Sequence, residues 1–185
     1  MLAVPLDGGG AVLGALEPWQ AEEFLAHMDR GREFIGGYIG FPDAVTDVDS
    51  ARRVLEDYAG KAAADTGRIY GIRDGGTLVG GVLFRTMDAG QGVAEAGCWL
   101  EPAATGRGLV TRAVRVIIDW VFRERGFHRV EWRCASGNRA SIAVAERLGM
   151  TRDGVLRQSH LLRGHRQDIE VWSVLAPEWE ERRGG

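Results

Sequence analysis

Trp99-Leu100-Glu101-Pro102-Ala103-Ala104-Thr105-Gly106-Arg107-Gly108-Leu109 reads as a strand, a short glycine-bearing loop and the opening of a long helix. A helix start leaves about four backbone N–H groups unpaired and presents the positive end of the helix dipole. Glycines at 106 and 108 let a ligand approach the backbone with no Cβ in the way. Such a turn suits a phosphate or pyrophosphate, and it also serves as a plain strand-to-helix connection. It is not a Walker loop, which needs GxxxxGK[ST], because the chain has no lysine except Lys61. Nor is it a Rossmann fingerprint: Thr111 stands where the last glycine belongs, and three strand-like runs come before it.

Those runs are Ile69–Arg73, Thr77–Met87 and Val93–Leu100. Asp74-Gly75-Gly76 is a strong hairpin signal between the first two, so an antiparallel meander is expected. Beyond the loop the period changes. Val110, Val114, Ile117 and Val121 step by helical spacing, and Gly126 follows as a stop, with Arg123 and Arg125 placed to favour the dipole. Val130, Trp132 and Cys134 then alternate with Glu131 and Arg133. A strand reached through a long helix should run parallel to Val93–Leu100. A helix over Arg139–Leu148 and two strands, Val155–Leu162 and Gln167–Leu175, complete this half.

The N-terminal part reads as strands Leu2–Pro5 and Ala11–Leu16 around an Asp7–Gly10 turn. A helix opens at Pro18, where the missing N–H costs nothing. Gly31 to Asp47 reads as a loop with a short helix, and a further helix is capped by Asp49 or Ser50 and ends near Gly67. The expected fold is α/β, a mixed and mostly antiparallel sheet with one parallel βαβ crossover, flanked by about four helices. The 185 residues are expected to form one domain, 1–185, since no linkers, repeats or low-complexity stretches interrupt the sequence.

Hydrophobic residues at 45% and charged residues at 26% exclude disorder and a disulfide-stapled miniprotein. No apolar run reaches the ~20 residues of a membrane span, and no secretory leader is evident. Cys98 and Cys134 read as free buried thiols in a reducing cytoplasm. His27, His128, His160 and His165 lack ligand spacing, so no metal is expected. The net charge of −3 gives no reason to expect direct nucleic-acid binding. Residues 1–60 carry 4 basic and 11 acidic groups and residues 101–185 carry 15 and 11, a division that suits either a plainly solvated surface or an anionic ligand on the C-terminal half and a cationic one near the N-terminal half.

Asn138-Arg-Ala-Ser141-Ile-Ala-Val-Ala145-Glu-Arg-Leu148-Gly149-Met150 is the second informative segment. With Thr105–Val110, the chain resembles the GNAT superfamily of acyl-CoA-dependent N-acyltransferases over essentially its whole length. Glu95-Ala-Gly97-Cys-Trp99-Leu100 and Val171-Trp-Ser173 resemble the Rim-type branch, which acetylates protein N-termini. The resemblance implies acetyl-CoA as acyl donor, its pyrophosphate on Gly106, Arg107 and Gly108 within a cradle running from Thr105 to Leu109. It places the pantetheine along the Trp99–Leu100 backbone and on Asn138. Thr105 and Val110 depart from the family's preferred residues. Ala145 replaces the tyrosine that many members use to protonate the leaving thiolate.

Ser141, one helical turn from Asn138, is then the candidate acid, as the branch resemblance suggests; a serine simply packed in the first turn is the alternative. For the base there are two candidates. Glu95 lies on the donor strand in an apolar stretch that could raise its pKa, an edge carboxylate facing solvent being the alternative. An unperturbed imidazole such as that of His160 titrates near neutrality, a partly buried structural histidine being the alternative. No GxSxG elbow supports hydrolase chemistry. The expected function is direct acetyl transfer to a primary amine, the α-amine of a basic protein or peptide foremost. A small-molecule amine acyltransferase and a non-catalytic CoA-binding module are the alternatives. A homodimer is compatible with the sequence.

Overall fold

The computed structural model describes residues 3–6 and 10–184. Strands β1 (Val4–Pro5), β2 (Ala11–Ala15), β3 (Arg68–Asp74), β4 (Thr77–Asp88), β5 (Val93–Leu100), β6 (Arg129–Ala135), β7 (Thr151–Leu162) and β8 (His165–Leu175) form one sheet. Their order is β1-β2-β3-β4-β5-β6-β8-β7. Every neighbouring pair is antiparallel except β5–β6, so the expected mixed sheet with one parallel crossover is present. The turn read over Asp7–Gly10 lies outside the described residues at positions 7–9.

Helices α1 (Ala21–Gly36), α2 (Phe41–Ala44) and α3 (Val48–Ala63) precede the meander, and α4 (Leu109–Arg123) makes the β5–β6 crossover. After them come α5 (Arg139–Arg147) and α6 (Ala176–Gly184). Val114, Ile117, Ile118 and Val121 of α4 are fully buried against Ala94, Ala96, Val130 and Trp132 of the sheet. On the opposite face, Phe24 and Met28 of α1 and Leu55 of α3 close a second cluster over Leu78, Leu83 and Trp99. The middle strands are therefore covered on both sides, which is why β4 reads as a continuous apolar run.

Three local readings are corrected. Helix α1 continues through Gly31 to Gly36; that glycine serves close approach, since a Cβ there would stand 2.6 Å from Ile35 Cδ1 and 3.4 Å from Glu101 Cβ. The cap of α3 is Asp47, neither Asp49 nor Ser50. Asp47 Oδ1 accepts from the Ser50 amide at 2.7 Å, and Ser50 Oγ accepts from the Asp47 amide at 2.9 Å, a reciprocal capping box. Six helices flank the sheet among the described residues, against about four expected. The C-terminal α6 lacked an apolar stripe to reveal it and is anchored by Trp179, whose indole N–H donates to Asp119 at 2.7 Å.

Gly81 of β4 sits beneath the Trp99 ring of β5 with no room for a side chain. A methyl group on Gly81 would stand 2.3 Å from the Tyr70 carbonyl oxygen and 2.3 Å from the Trp99 ring. Gly81→Ala is expected to cost roughly 1–3 kcal/mol through overpacking. Gly14→Ala in β2, where a Cβ meets nothing within 4 Å, should stay within about 0.5 kcal/mol of the parent. Urea unfolding of the two variants measures the difference.

Candidate active site

The parallel ladder is short. It pairs Val93–Ala96 with Arg129–Trp132 and stops, although β5 runs on to Leu100 and β6 to Ala135. Past Ala96 the two strands part, and β5 keeps β4 as its partner through Trp99 and Leu100. The edge of β5 facing the gap therefore offers backbone groups that β6 does not satisfy, and such groups are costly to leave unpaired when buried.

The loop at the end of β5 opens onto the same gap. Gly106 has φ +76° and Gly108, at the start of α4, has φ +71°. Nothing lies within 4 Å of where a Gly106 Cβ would be, so the approach to the first α4 amides is open. Thr105 turns its hydroxyl back to the Pro102 carbonyl at 2.8 Å, and Leu109 is buried as an anchor. Arg107 pairs with Asp74 at 2.5 Å, and its carbonyl accepts from Arg112 at 2.8 Å. The loop is thus held by its own side chains, and a glycine-bearing helix start of this kind suits a pyrophosphate.

On the β6 side, Asn138 caps α5 by accepting from the Ser141 amide at 3.1 Å. Ser141 partly offsets the rise that burial imposes on the Cys134 thiol's pKa, and its Oγ accepts from Trp132 Nε1 at 2.9 Å. Because an indole N–H is donor only, this contact occupies an acceptor site on the serine and leaves its proton to be directed elsewhere. The Ser136 hydroxyl, in the connection between β6 and Asn138, is buried with no hydrogen-bond partner. An open β5 edge, an open glycine loop and a buried unpartnered hydroxyl all fit an elongated ligand carrying amide and phosphate groups.

The two base candidates fall apart. Glu95 lies one residue before the last ladder pair, and its surroundings are not the apolar ones expected. Arg85, in a bulge of β4, donates to it at 2.9 Å, and Arg133 stands 3.8 Å away. These side chains occupy the sheet face opposite to Ser141. His160 is exposed on the outer strand β7, which β8 separates from β6. The structure therefore brings Asn138 and Ser141 together with the parting strands and leaves His160 at the sheet edge.

Spacing gave no sign of the buried group that fixes the end of β5. His27 of α1 is fully buried. Its Nε2 accepts from Trp99 Nε1 at 3.0 Å, so Nδ1 carries the proton and donates to Glu101 at 3.3 Å. Arg30 donates to the same carboxylate at 3.0 Å and to the Leu78 carbonyl at 2.6 Å. Trp99 and Glu101 bracket Leu100, so α1 holds the strand end from which the glycine loop departs.

A parallel pair that parts beside a glycine-lined helix start leaves an α/β fold with a slot suited to a phosphate-bearing ligand. Residues 13–151 match the Acetyltransferase (GNAT) domain. The chain belongs to that family and is an N-acetyltransferase of the GNAT type. It is 30% identical over 166 residues, 89% of this chain and 91% of its relative, to a provisionally named ribosomal N-acetyltransferase, YdaF of Bacillus subtilis (strain 168). Among solved structures it resembles RimL, a ribosomal L7/L12 α-N-protein acetyltransferase in complex with coenzyme A, held in that protein by a disulfide to a cysteine. That match has a TM-score of 0.90, 19% identity, and coverage of 96% of this chain and 99% of that one. The microcin C7 self-immunity acetyltransferase MccE, in complex with acetyl-CoA and AMP, superposes with a TM-score of 0.84 at 24% identity, over 92% and 98% of the two chains. Among the described residues no helix is long and apolar enough to cross a membrane, and no group of three metal-ligating side chains occurs.

Burial lowers the His27 pKa from 6.5 to about 4, only partly opposed by Glu101. The unfolded chain therefore takes up a proton that the folded one refuses. Stability tied to His27 is complete above pH 6.5 and declines as pH falls toward about 4, by a total on the order of 3 kcal/mol. In denaturant titrations of the parent and His27→Gln, the stability difference should narrow over that window. A constant difference would mean that His27 is readily protonated in the fold.

Proposed function

We propose that the chain transfers the acetyl group of acetyl-CoA to the α-amine of a protein or peptide, by direct attack and within the one domain. The observation that carries this reading is the parting of β5 from β6 beside the Gly106–Gly108 loop, with Ser141 across the gap. The amides of Gly106, Arg107 and Gly108 would bind the pyrophosphate. The free β5 edge from Gly97 to Leu100, with Ser136 and Asn138 opposite, would hold the pantetheine by amide hydrogen bonds.

In the transfer, the amine attacks the thioester carbonyl while β5 backbone N–H groups polarise it. Ser141 gives its proton to the departing sulfur, while Trp132 holds its oxygen. Glu95, reached through a water, takes the proton from the amine more readily than the outlying His160. No covalent enzyme intermediate is needed.

Three observations support an α-amine. The N-terminal third is acidic, with Glu17, Glu22, Asp43 and Asp49 among its carboxylates, and would attract a basic protein. At neutral pH roughly a tenth of α-amines are free base, against less than about a thousandth of lysines. The names of YdaF and RimL refer to ribosomal and α-N-protein acetylation.

Matched peptides test this, one with a free N-terminus and no lysine, the other N-blocked with one internal lysine. Faster modification of the first is expected in a mass-read assay with acetyl-CoA. Preference for the blocked peptide would overturn the α-amine assignment, and exclusive turnover of polyamines or aminoglycosides would favour a small-molecule enzyme. Ser141→Ala should lower kcat by about 10²-fold or more and change acetyl-CoA affinity far less. Gly108→Glu should abolish that affinity, since a carboxylate would then occupy the phosphate position.

A further inference from the structure

Helix α4 leads from the glycine loop to a second polar site. Gly108, Arg112, Arg115 and Asp119 recur at steps of four, three and four residues and so share one face of the helix. That face runs into a cavity of about 470 Å³ between α4, the end of α5 and α6, with Arg115, Arg147, Gly149 and Arg182 in its lining. Arg115 donates to the Arg147 carbonyl at 3.3 Å and so ties α4 to α5. Arg182 rests against Gly149, where a Cβ would stand 2.6 Å from its Nη1; a glycine makes room for that guanidinium. The carboxylates of the lining are Asp119, which accepts from the Trp179 indole, and Glu146. Three guanidiniums therefore outnumber two carboxylates. Among the described residues none of the three arginines forms an ion pair.

We propose that this cavity takes the 3′-phosphate of the donor, held by Arg115, Arg147 and Arg182, and that the chain thereby selects coenzyme A thioesters over their 3′-dephospho forms. The inference rests on the acyl-CoA reading above. Coenzyme A carries its 3′-phosphate on the same ribose as its pyrophosphate, one sugar away. A rise of 1.5 Å per residue puts Arg115 about 10 Å along α4 from Gly108. Helical side chains lean toward the N-terminus of their helix, so the Arg115 guanidinium reaches back toward the loop. A pyrophosphate seated on the Gly106–Gly108 amides leaves the 3′-phosphate facing the mouth of the cavity.

The chemistry of the lining suits a phosphate monoester. Such a group carries about −1.5 to −2 charge at neutral pH and three strong acceptor oxygens, and the forked donors of arginine match it two at a time. All three arginines are exposed, so each by itself gains little over water. Gathered on one dianion, they act together. The glycine loop cannot make this selection, because a dephospho donor carries the same pyrophosphate. The basic excess of residues 101–185 then has a second anion to meet besides the pyrophosphate.

Calorimetry on the full-length chain compares acetyl-CoA with 3′-dephospho-acetyl-CoA. The parent is expected to bind the dephospho form at least about tenfold more weakly. That ratio should shrink as salt rises, and as pH falls through about 6, where the monoester takes up its second proton. Arg115→Gln and Arg182→Gln should weaken acetyl-CoA binding and leave the dephospho form unaffected, which also shows that each variant is folded with its loop intact. Equal affinity of the parent for both donors, or an equal loss for both in the variants, would overturn the proposal. So would an Arg182-dependent heat on adding inorganic phosphate to the donor-saturated parent, since a free phosphate would then occupy the cavity. Failure of the parent to bind either donor would instead overturn the acyl-transfer reading.

Discussion

The ending of the β5–β6 ladder at Ala96 and Trp132 is the constraint on which the rest of the structure depends. Two strands that part inside a sheet lose hydrogen bonds whose absence costs about 1–3 kcal/mol per buried group, so each arm must be held by other means. On the first arm, β4 pairs with β5 to its last residue, and α1 grips the end through His27, Arg30 and Glu101. On the second, β8 pairs with β6 along its whole length, and Trp132 reaches Ser141 of α5. Each arm keeps its shape without the other, and the gap between them can stay open.

The gap has different chemistry on its two faces. Toward α4 and α5 lie apolar residues, the two thiols and the Ser141 hydroxyl. Toward the other face, Arg85, Glu95, Arg133, Glu131 and Arg129 form a chain of ion pairs across β4, β5 and β6. Neighbouring arginines hold Glu131 below the usual carboxylate range in spite of partial burial. A ligand approaching from this side meets alternating charge, whereas the opposite face is apolar.

Much of this was legible in local pattern. The four-three-four stepping from Val110 to Val121, the Asp74–Gly76 hairpin and the alternation at Val130–Cys134 place the crossover, because each reports a periodicity that burial imposes. The glycine loop and the Asn138–Ser141 turn were visible for the same reason: backbone geometry selects residue type there. The contacts of His27, Glu101 and Trp99 were hidden, since they join positions more than 70 residues apart and obey no period. The environment of Glu95 was misread because its apolar neighbours along the chain belong to the other face, while a bulge in β4 brings Arg85 across.

The outer hairpin is joined to the first arm by a different kind of contact. Arg163, at the β7–β8 turn, forms a two-pronged pair with Asp43 of α2 at 2.7 and 3.1 Å, spanning the two sides of the parted sheet. Strand β7 reaches that far through an irregularity between Leu156 and His160, where Gln158 has φ +50° and its amide donates to Asp168 at 2.7 Å. Asp168, to which spacing assigned no role, thus stabilises the bend that carries the turn across. Both members of the Arg163–Asp43 pair are about half exposed, and exposed pairs contribute little and weaken with salt. The separation of the arms is therefore set by the buried contacts of β5 and β6, and the outer bridge can break and re-form without disturbing them.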